Sequence, residues 1–342
     1  MSRVSFLDFF RIWVLCLLVF WLITGLFKFS LALSLLALTN VLVLVFMFSC
    51  SVADKPQVRT FFENFIVIGH RGLALDAPEN TLAAIRKTKE LGANGVEFDV
   101  ELTKDGVPIL MHDDTVDRTT DGTGALSSLL WDQVKTLNAA ATFPVKERES
   151  VPTVEQAVEL CVQLGLKIIF DVKLGDPRIL SALLKMFRKH RVLYHNAIVC
   201  SFYPRLLYEL KRSDPSIMVG HTWRPWFYSC EDVDSKVKRF PSQLFLHWLS
   251  VAADIINVYW LHNWLWKFSG ASFILTEHQS VSKEYVKTWH NRGLYVGAWT
   301  VNDRYQKSYY INSLKIPLLT DRLSDIQDIL AVNGHNNNSR DA

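Results

Sequence analysis

Gly95-Val-Glu-Phe-Asp-Val-Glu-Leu-Thr-Lys-Asp-Gly-Val-Pro-Ile-Leu-Met-His-Asp113 decides how the chain is read. Val96, Phe98 and Val100 alternate with Glu97, Asp99 and Glu101, the two-residue period of a β-strand. Val107 to Met111 is a second apolar run, and Thr103-Lys104-Asp105-Gly106 between them is turn chemistry, because Asp-Gly readily supplies positive φ. So short a connection cannot make a parallel crossover, so the two runs are predicted to pair antiparallel and to fold His112 back beside Glu97 and Asp99. Two carboxylates on one strand face with a histidine beside them suit a hard metal ion and an acid/base group. An exposed acidic strand on an ordinary hairpin fits these residues alone equally well.

The sequence upstream shifts that balance. Ile66-Val67-Ile68-Gly69-His70-Arg71-Gly72 reads as a buried strand ending in His-Arg-Gly, and Ala77-Pro78-Glu79-Asn80-Thr81 then starts a helix. These blocks are followed by Glu97-Phe98-Asp99, His112-Asp113 and Arg118-Thr119-Thr120-Asp121-Gly122-Thr123-Gly124. In order and spacing the set resembles the glycerophosphodiester phosphodiesterase family. The resemblance covers roughly residues 65–330, and the apolar flanks look most like the membrane-anchored glycerophosphoinositol type.

Working outward, apolar strands are expected at about 66–70, 95–100, 167–172, 196–201, 217–221, 272–276, 294–299 and 317–320. Helices are expected near 78–91, 153–164, 177–190, 203–213, 281–292, 303–311 and 323–330. Thr153 and Ser280 supply start signals for two of them. Eight strands mostly separated by helices indicate an α/β fold, a (β/α)8 TIM barrel with its site at the C-terminal strand ends. The resemblance implies the phospholipase-C-like phosphodiesterase version of that barrel. Residues 54–63 read as a polar linker before the barrel domain at 65–330, residues 113–151 as an insertion over its mouth, and 331–342 as a disordered tail.

At the other end of the chain, Ile12 to Phe27 and Leu31 to Cys50 are apolar runs of near-membrane length, making 1–55 an N-terminal membrane anchor of one or two transmembrane helices. Arg3 and Arg11 face Lys55 and Arg59 across them, so the charge bias does not fix orientation. A second apolar segment, 244–275, carries Trp248, Trp260, Trp264 and Trp266 among His247, Asp254 and Lys267. Its polar residues make a clean span costly, and a span between the fifth and sixth strands would split one barrel across a membrane. It is therefore expected to lie in the bilayer interface, with an ordinary packed helix or a partner-binding face as the alternatives. A net charge of +3 without a basic stripe argues against nucleic acid as a partner. Of five cysteines, Cys16 lies in the apolar leader and Cys161 and Cys200 in helix-like and strand-like runs, so a disulfide framework is not expected.

What the resemblance implies about chemistry follows residue by residue. His70 and His112 would exchange protons with the nucleophile and the leaving oxygen, with either able to serve as base. Glu97, Asp99 and Asp171 would ligate a divalent metal, Mg²⁺ first with Ca²⁺ as the alternative, because an all-oxygen set favours these two over zinc. The family usually has Glu-x-Lys where this chain has Asp171-Val172-Lys173, one methylene shorter, which puts denticity and metal preference in doubt but not the role. Arg71 and Lys173 would bind phosphate, Trp299 in Trp299-Thr300-Val301-Asn302 would wall the pocket, and Asp321 would support the site or cap a helix. Glu79 would position metal or glycerol hydroxyls, or serve as a first-turn acid of its helix. The implied reaction is hydrolysis of glycerophosphodiesters to glycerol 3-phosphate, or its acylated form, plus alcohol. Implied substrates are glycerophosphoinositol, lysophospholipids or glycerophospho-N-acyl ethanolamines. The implied setting is an integral protein of the endoplasmic reticulum or plasma membrane, with the lipid bilayer as partner and the domain lumenal or extracellular. A cyclising phosphotransferase and a non-catalytic membrane scaffold stand as alternatives; the scaffold fits poorly with a complete set of site residues.

Overall fold

The computed structural model describes residues 13–18, 20–21, 39–40, 49–50, 55–63, 65–173, 176–231 and 236–325. The chain divides into two units, 1–48 and 49–342. Most of both N-terminal apolar runs, the expected helix at 323–330 beyond Asp325, and the tail lie outside the described residues.

The second unit is a barrel. In chain order its strands are β1 (Val67–Gly69), β2 (Gly95–Leu102), β3 (Pro108–Leu110), β4 (Lys167–Val172), β5 (Ala197–Ser201), β6 (Met218–Trp223), β7 (Phe273–Glu277), β8 (Tyr295–Trp299) and β9 (Leu318–Thr320). Eight run parallel, and β1 pairs with both β2 and β9, so the sheet closes and leaves no open edge. The ninth, β3, pairs antiparallel with β2 through Val100↔Leu110, as the Asp-Gly turn requires. Helices α1 (Lys55–Phe62), α2 (Leu82–Glu90), α3 (Val154–Leu164), α4 (Pro177–Lys189), α5 (Pro204–Ser213), α6 (Leu244–Trp260), α7 (Lys283–Asn291) and α8 (Arg304–Tyr309) accompany them.

Parallel strands lined on both sides bury both faces, and every residue of β2 is buried, Glu97, Asp99 and Glu101 included. Val96, Phe98 and Val100 pack outward with Val158, Phe170 and Phe187 of the sheet–helix layer. Ile68, Ile169, Ile198, Met218, Phe273 and Leu319 form a separate inner core. That inner core is closed by α1, a helix where the sequence reads as a polar linker. Val58, Phe61 and Phe62 point into the barrel, with Phe62 stacked on Tyr295 at 4.1 Å. Arg59, Thr60 and Glu63 are its solvent face, and the three apolar side chains carry the packing.

Two helix starts differ from expectation. The helix expected from 78 begins at Leu82, with Thr81 capping the Ala84 N–H, because Asn80 adopts φ 57° and breaks helical geometry before it. The cap of α7 is Ser282, while Ser280 belongs to a short 3₁₀ turn ahead of it. Thr153 caps α3 as expected, in a reciprocal box with Gln156. The segment at 244–275 is helical only to Ser269, through α6 and a π-turn at Leu261–Leu265, and then becomes β7. The insertion after Asp113 packs its own small core from Val116, Leu126, Val134 and Val151 against Ile109 and Met111.

Candidate active site

Strand register gathers the acids. In the β2–β4 pair Asp99 stands directly beside Asp171, and Glu97 lies two residues earlier on the same face. Oxygens of Glu97, Asp99 and Asp171 all approach within 4.8 Å of one another, and all three side chains are buried. Burial, then Asp99 and Asp171, raises the Glu97 carboxyl well above the ordinary carboxylate range. Burial likewise pushes Asp171 up to about 6, against the pull of Lys173. Burial would raise Asp99 too, but Lys173 at 3.1 Å, Arg71 and His112 outweigh it and hold Asp99 low. Three crowded, buried oxygen donors with only two nearby cations are a set that a divalent ion fits.

The His-Arg-Gly block turns tightly around this cluster. Gly72 has φ 76°, and a Cβ there would meet the Ala84 Cβ at 2.6 Å, so only glycine fits. Arg71 takes φ 50°, which lets its own N–H donate to Glu97 Oε2 at 2.8 Å while its guanidinium reaches Asp99 (3.5 Å) and Glu79 (3.1 Å). The turned-out Asn80 side chain donates to Asp99 Oδ2 at 2.8 Å and accepts from the Asp99 N–H at 3.2 Å. Thr222 of β6 donates to Asp171 at 2.9 Å.

Each histidine is clamped by a carboxylate. His70 Nδ1 lies 2.6 Å from Asp321 Oδ1, and Asp321 in turn accepts from the Asn302 side chain at 2.7 Å. His112 Nδ1 lies 2.6 Å from Asp113, which Arg118 also holds. A carboxylate partner keeps the proton on Nδ1 and leaves Nε2 to face the site; for His70 that nitrogen is 4.0 Å from Glu97. Burial lowers His112, against the pull of Asp113 and Asp99.

Glu79 precedes α2, outside its first turn, and is held by Arg71 and by both terminal nitrogens of Arg118 at 2.7 and 2.9 Å. Arg118 therefore bridges Glu79 and Asp113, while the glycines that follow it, Gly122 and Gly124, sit in the turns of the insertion. A cavity of about 850 Å³ opens at the mouth. Its lining includes His112, Lys173 and Trp299 from the expected set, and Phe202, Arg224 and Phe227, which the sequence did not flag. Phe202 and Phe227 stack at 4.6 Å, and Trp299 meets Phe202 edge-on, giving the cavity one aromatic wall. All ten expected residues, Asp321 among them, thus lie at one end of the barrel. Asn80, Thr222, Arg118, Asp113 and Asn302 are the partners that sequence reasoning left without a role.

A family model, described as the glycerophosphoryl diester phosphodiesterase family, matches residues 70–324. Human glycerophosphodiester phosphodiesterase 1 is 42% identical over 259 residues, 75% of this chain and 77% of its own length. A glycerophosphoinositol inositolphosphodiesterase from human is 39% identical over 132 residues, 31% of this chain and 24% of its own. Among solved structures, an Oleispira antarctica phosphodiesterase in complex with the product sn-glycerol-3-phosphate superposes with a TM-score of 0.62 at 23% identity, covering 80% of this chain and 99% of that one.

Proposed function

Because the chain belongs to the glycerophosphoryl diester phosphodiesterase family, we propose that its barrel mouth uses a divalent metal to hydrolyse glycerophosphodiesters to glycerol 3-phosphate, or its acylated form, plus alcohol. The supporting observation is the alignment of Asp99 with Asp171, with Glu97 beside them, between two histidine–carboxylate pairs. Glu97, Asp99 and Asp171 would hold the ion, Mg²⁺ or Ca²⁺ in preference to zinc for an all-oxygen set. It would supply positive charge to a phosphoryl oxygen. Arg71 and Lys173 add fixed positive charge on the same side. One imidazole Nε2 removes the proton from the attacking hydroxyl and the other protonates the departing alkoxide as its P–O bond breaks. Attack by water gives glycerol 3-phosphate directly, whereas attack by the glycerol 2-hydroxyl gives a cyclic phosphate that water then opens. Asp321 and Asp113 fix both rings so that neither reorients between steps.

The 850 Å³ cavity with its aromatic wall accommodates groups larger than glycerol phosphate, which favours inositol or acyl-bearing alcohols as leaving groups. The N-terminal apolar runs would anchor the protein in the endoplasmic reticulum or plasma membrane with the barrel lumenal or extracellular, and protease protection in sealed microsomes reads that orientation. The catalytic test is phosphorus NMR on the purified full chain, with glycerophosphoinositol and a lysophospholipid, with and without Mg²⁺, Ca²⁺ or chelator. Metal-dependent glycerol 3-phosphate is the expected product. A cyclic phosphate as end product would make the enzyme a phosphotransferase, and undiminished turnover in chelator would remove the metal from the scheme.

A further inference from the structure

α6 is built inside out. Phe245, Trp248, Leu249, Ile256, Tyr259 and Trp260 recur at helical spacing and face outward, Phe245 being 79% and Trp248 62% exposed. The buried side instead carries Ser250, Asp254 and, past the end of α6, Leu261. The Asp254 carboxylate accepts the backbone N–H groups of Tyr228 at 2.9 Å and Ser229 at 3.0 Å. Those two residues belong to the segment after β6 whose Arg224, Phe227 and Glu231 line the cavity. Among the described residues, Leu244–Ser269 is the helical run long and apolar enough to cross a membrane.

We propose that α6 lies in the plane of a bilayer surface with its apolar stripe among the acyl chains, and that Asp254 thereby holds the cavity wall at that surface. The cavity's part in this rests on the phosphodiesterase reading given above. Three observations select lipid as the occupant. The helical run connects β6 to β7, which are hydrogen-bonded neighbours in one barrel, so it cannot cross a bilayer without parting them. At its far end the Phe268 carbonyl accepts the N–H of Cys50 at 3.0 Å, the residue that in sequence ends the apolar stretch 31–50. Finally, the stripe is edged by groups that suit an interface. Trp248, Tyr259 and Trp260 can sit at headgroup level, with the exposed cations Lys238 and Arg239 before the helix and Lys267 after it. Trp264 and Trp266 are not part of the outward stripe. Both are half-buried, and Trp266 packs edge-on against Trp289 with Arg292 over its ring.

The test uses the full chain in nanodiscs of phosphatidylcholine and phosphatidylserine. An environment-sensitive fluorophore is attached through Leu249→Cys or Ile256→Cys, with Cys16, Cys50 and Cys230 replaced by serine. Spin-labelled acyl chains should quench both probes and spare one at Glu284→Cys on α7. Independently of labelling, the combined Phe245→Ser, Trp248→Ser and Leu249→Ser variant should lose about tenfold in turnover of a nanodisc-embedded lysophospholipid while hydrolysing soluble glycerophosphoinositol normally. Unquenched probes overturn the proposal. So do equal losses on both substrates, or concentration-dependent crosslinking of two copies through position 256. Absence of turnover by the unmodified chain on either substrate, with the probes still quenched, would instead overturn the phosphodiesterase reading and leave the membrane contact standing.

Discussion

The mouth of the barrel and α6 break the usual rule of burial in opposite directions. At the mouth three carboxylates are buried, and at α6 a row of large apolar side chains is turned outward. Each departure carries its own compensation. Arg71, Lys173, Asn80 and Thr222 reach the acids, and Asp254 ties the helix to the chain beneath it. The difference lies in what the compensation is for. The mouth keeps charge because burial strengthens electrostatics where a phosphodiester must be neutralised. α6 keeps its polar groups underneath and leaves its apolar stripe outward, the face proposed above to meet lipid.

The sharpest break would come at the acids. Glu97→Ala or Asp99→Ala should lower kcat/KM about 10³-fold or more, measured on soluble glycerophosphoinositol in saturating Mg²⁺. The isosteric Glu97→Gln should also be inactive, yet unfold a few degrees higher than the parent in chelator, because it removes a charge that burial opposes. If the Gln variant were both active and unchanged in stability, the mouth would not be storing electrostatic strain for catalysis.

Next come the histidines. His70→Ala and His112→Ala should each lose about 10²–10⁴-fold in kcat, and the double variant should fall well short of the product of the two. Asp321→Asn and Asp113→Asn should lose less, because each alters the tautomer of a ring that remains in place. A His112→Ala enzyme with normal kcat and only a raised KM would make the hairpin a binding element.

These predictions concern residues whose types are plain in the sequence and whose partners are not. Period two along β2 places Glu97 and Asp99 on one face, and a short Asp-Gly turn must return His112 beside them; neither inference needs the rest of the chain. In a closed barrel, however, the polar face of such a strand points to the lumen, so the alternation that resembles a half-exposed strand marks one buried on both sides. Asn80 was hidden because its role depends on a left-handed φ inside a stretch that reads as a helix start. Arg118 reaches Glu79 across 39 residues and Asp321 reaches His70 across 251. Sequence spacing carries no information about such contacts until the barrel closes. The α1 plug was missed for a related reason, since Val58, Phe61 and Phe62 form too short a period to stand out among polar neighbours.

On the α6 side the effects should fall on stability before activity. Asp254→Ala leaves a buried N–H at Ser229 and a half-buried one at Tyr228 without their charged acceptor, at a cost of about 1–3 kcal/mol in denaturant unfolding. KM for bulky substrates should rise more than kcat falls, because the cavity wall loosens while the acids and histidines stay put. A stable variant with normal KM would uncouple the helix from the mouth.

The smallest effect is expected where the two regions meet. His221 of β6 is fully buried, its Nε2 2.8 Å from the Ser269 hydroxyl at the end of the helical run. Burial lowers it to about 4. Its folded pKa thus lies below the unfolded value of about 6.5, so the unfolded chain binds the extra proton first. The stability it contributes is complete above about pH 6.5 and is lost as pH falls toward 4. Asp171, raised to about 6, acts with the opposite sign in the same window, because its folded form takes up the proton first and gains stability as pH falls. Wild-type stability alone therefore mixes opposite signs and does not report on the histidine. The difference between wild type and His221→Gln isolates the histidine: their unfolding free energies from denaturant titration should converge between pH 7 and pH 5, by about 1–2 kcal/mol. Parallel pH profiles for the two proteins would mean that His221 is reached by water in the folded barrel, and that the seam between barrel and helix is looser than the Ser269 contact implies.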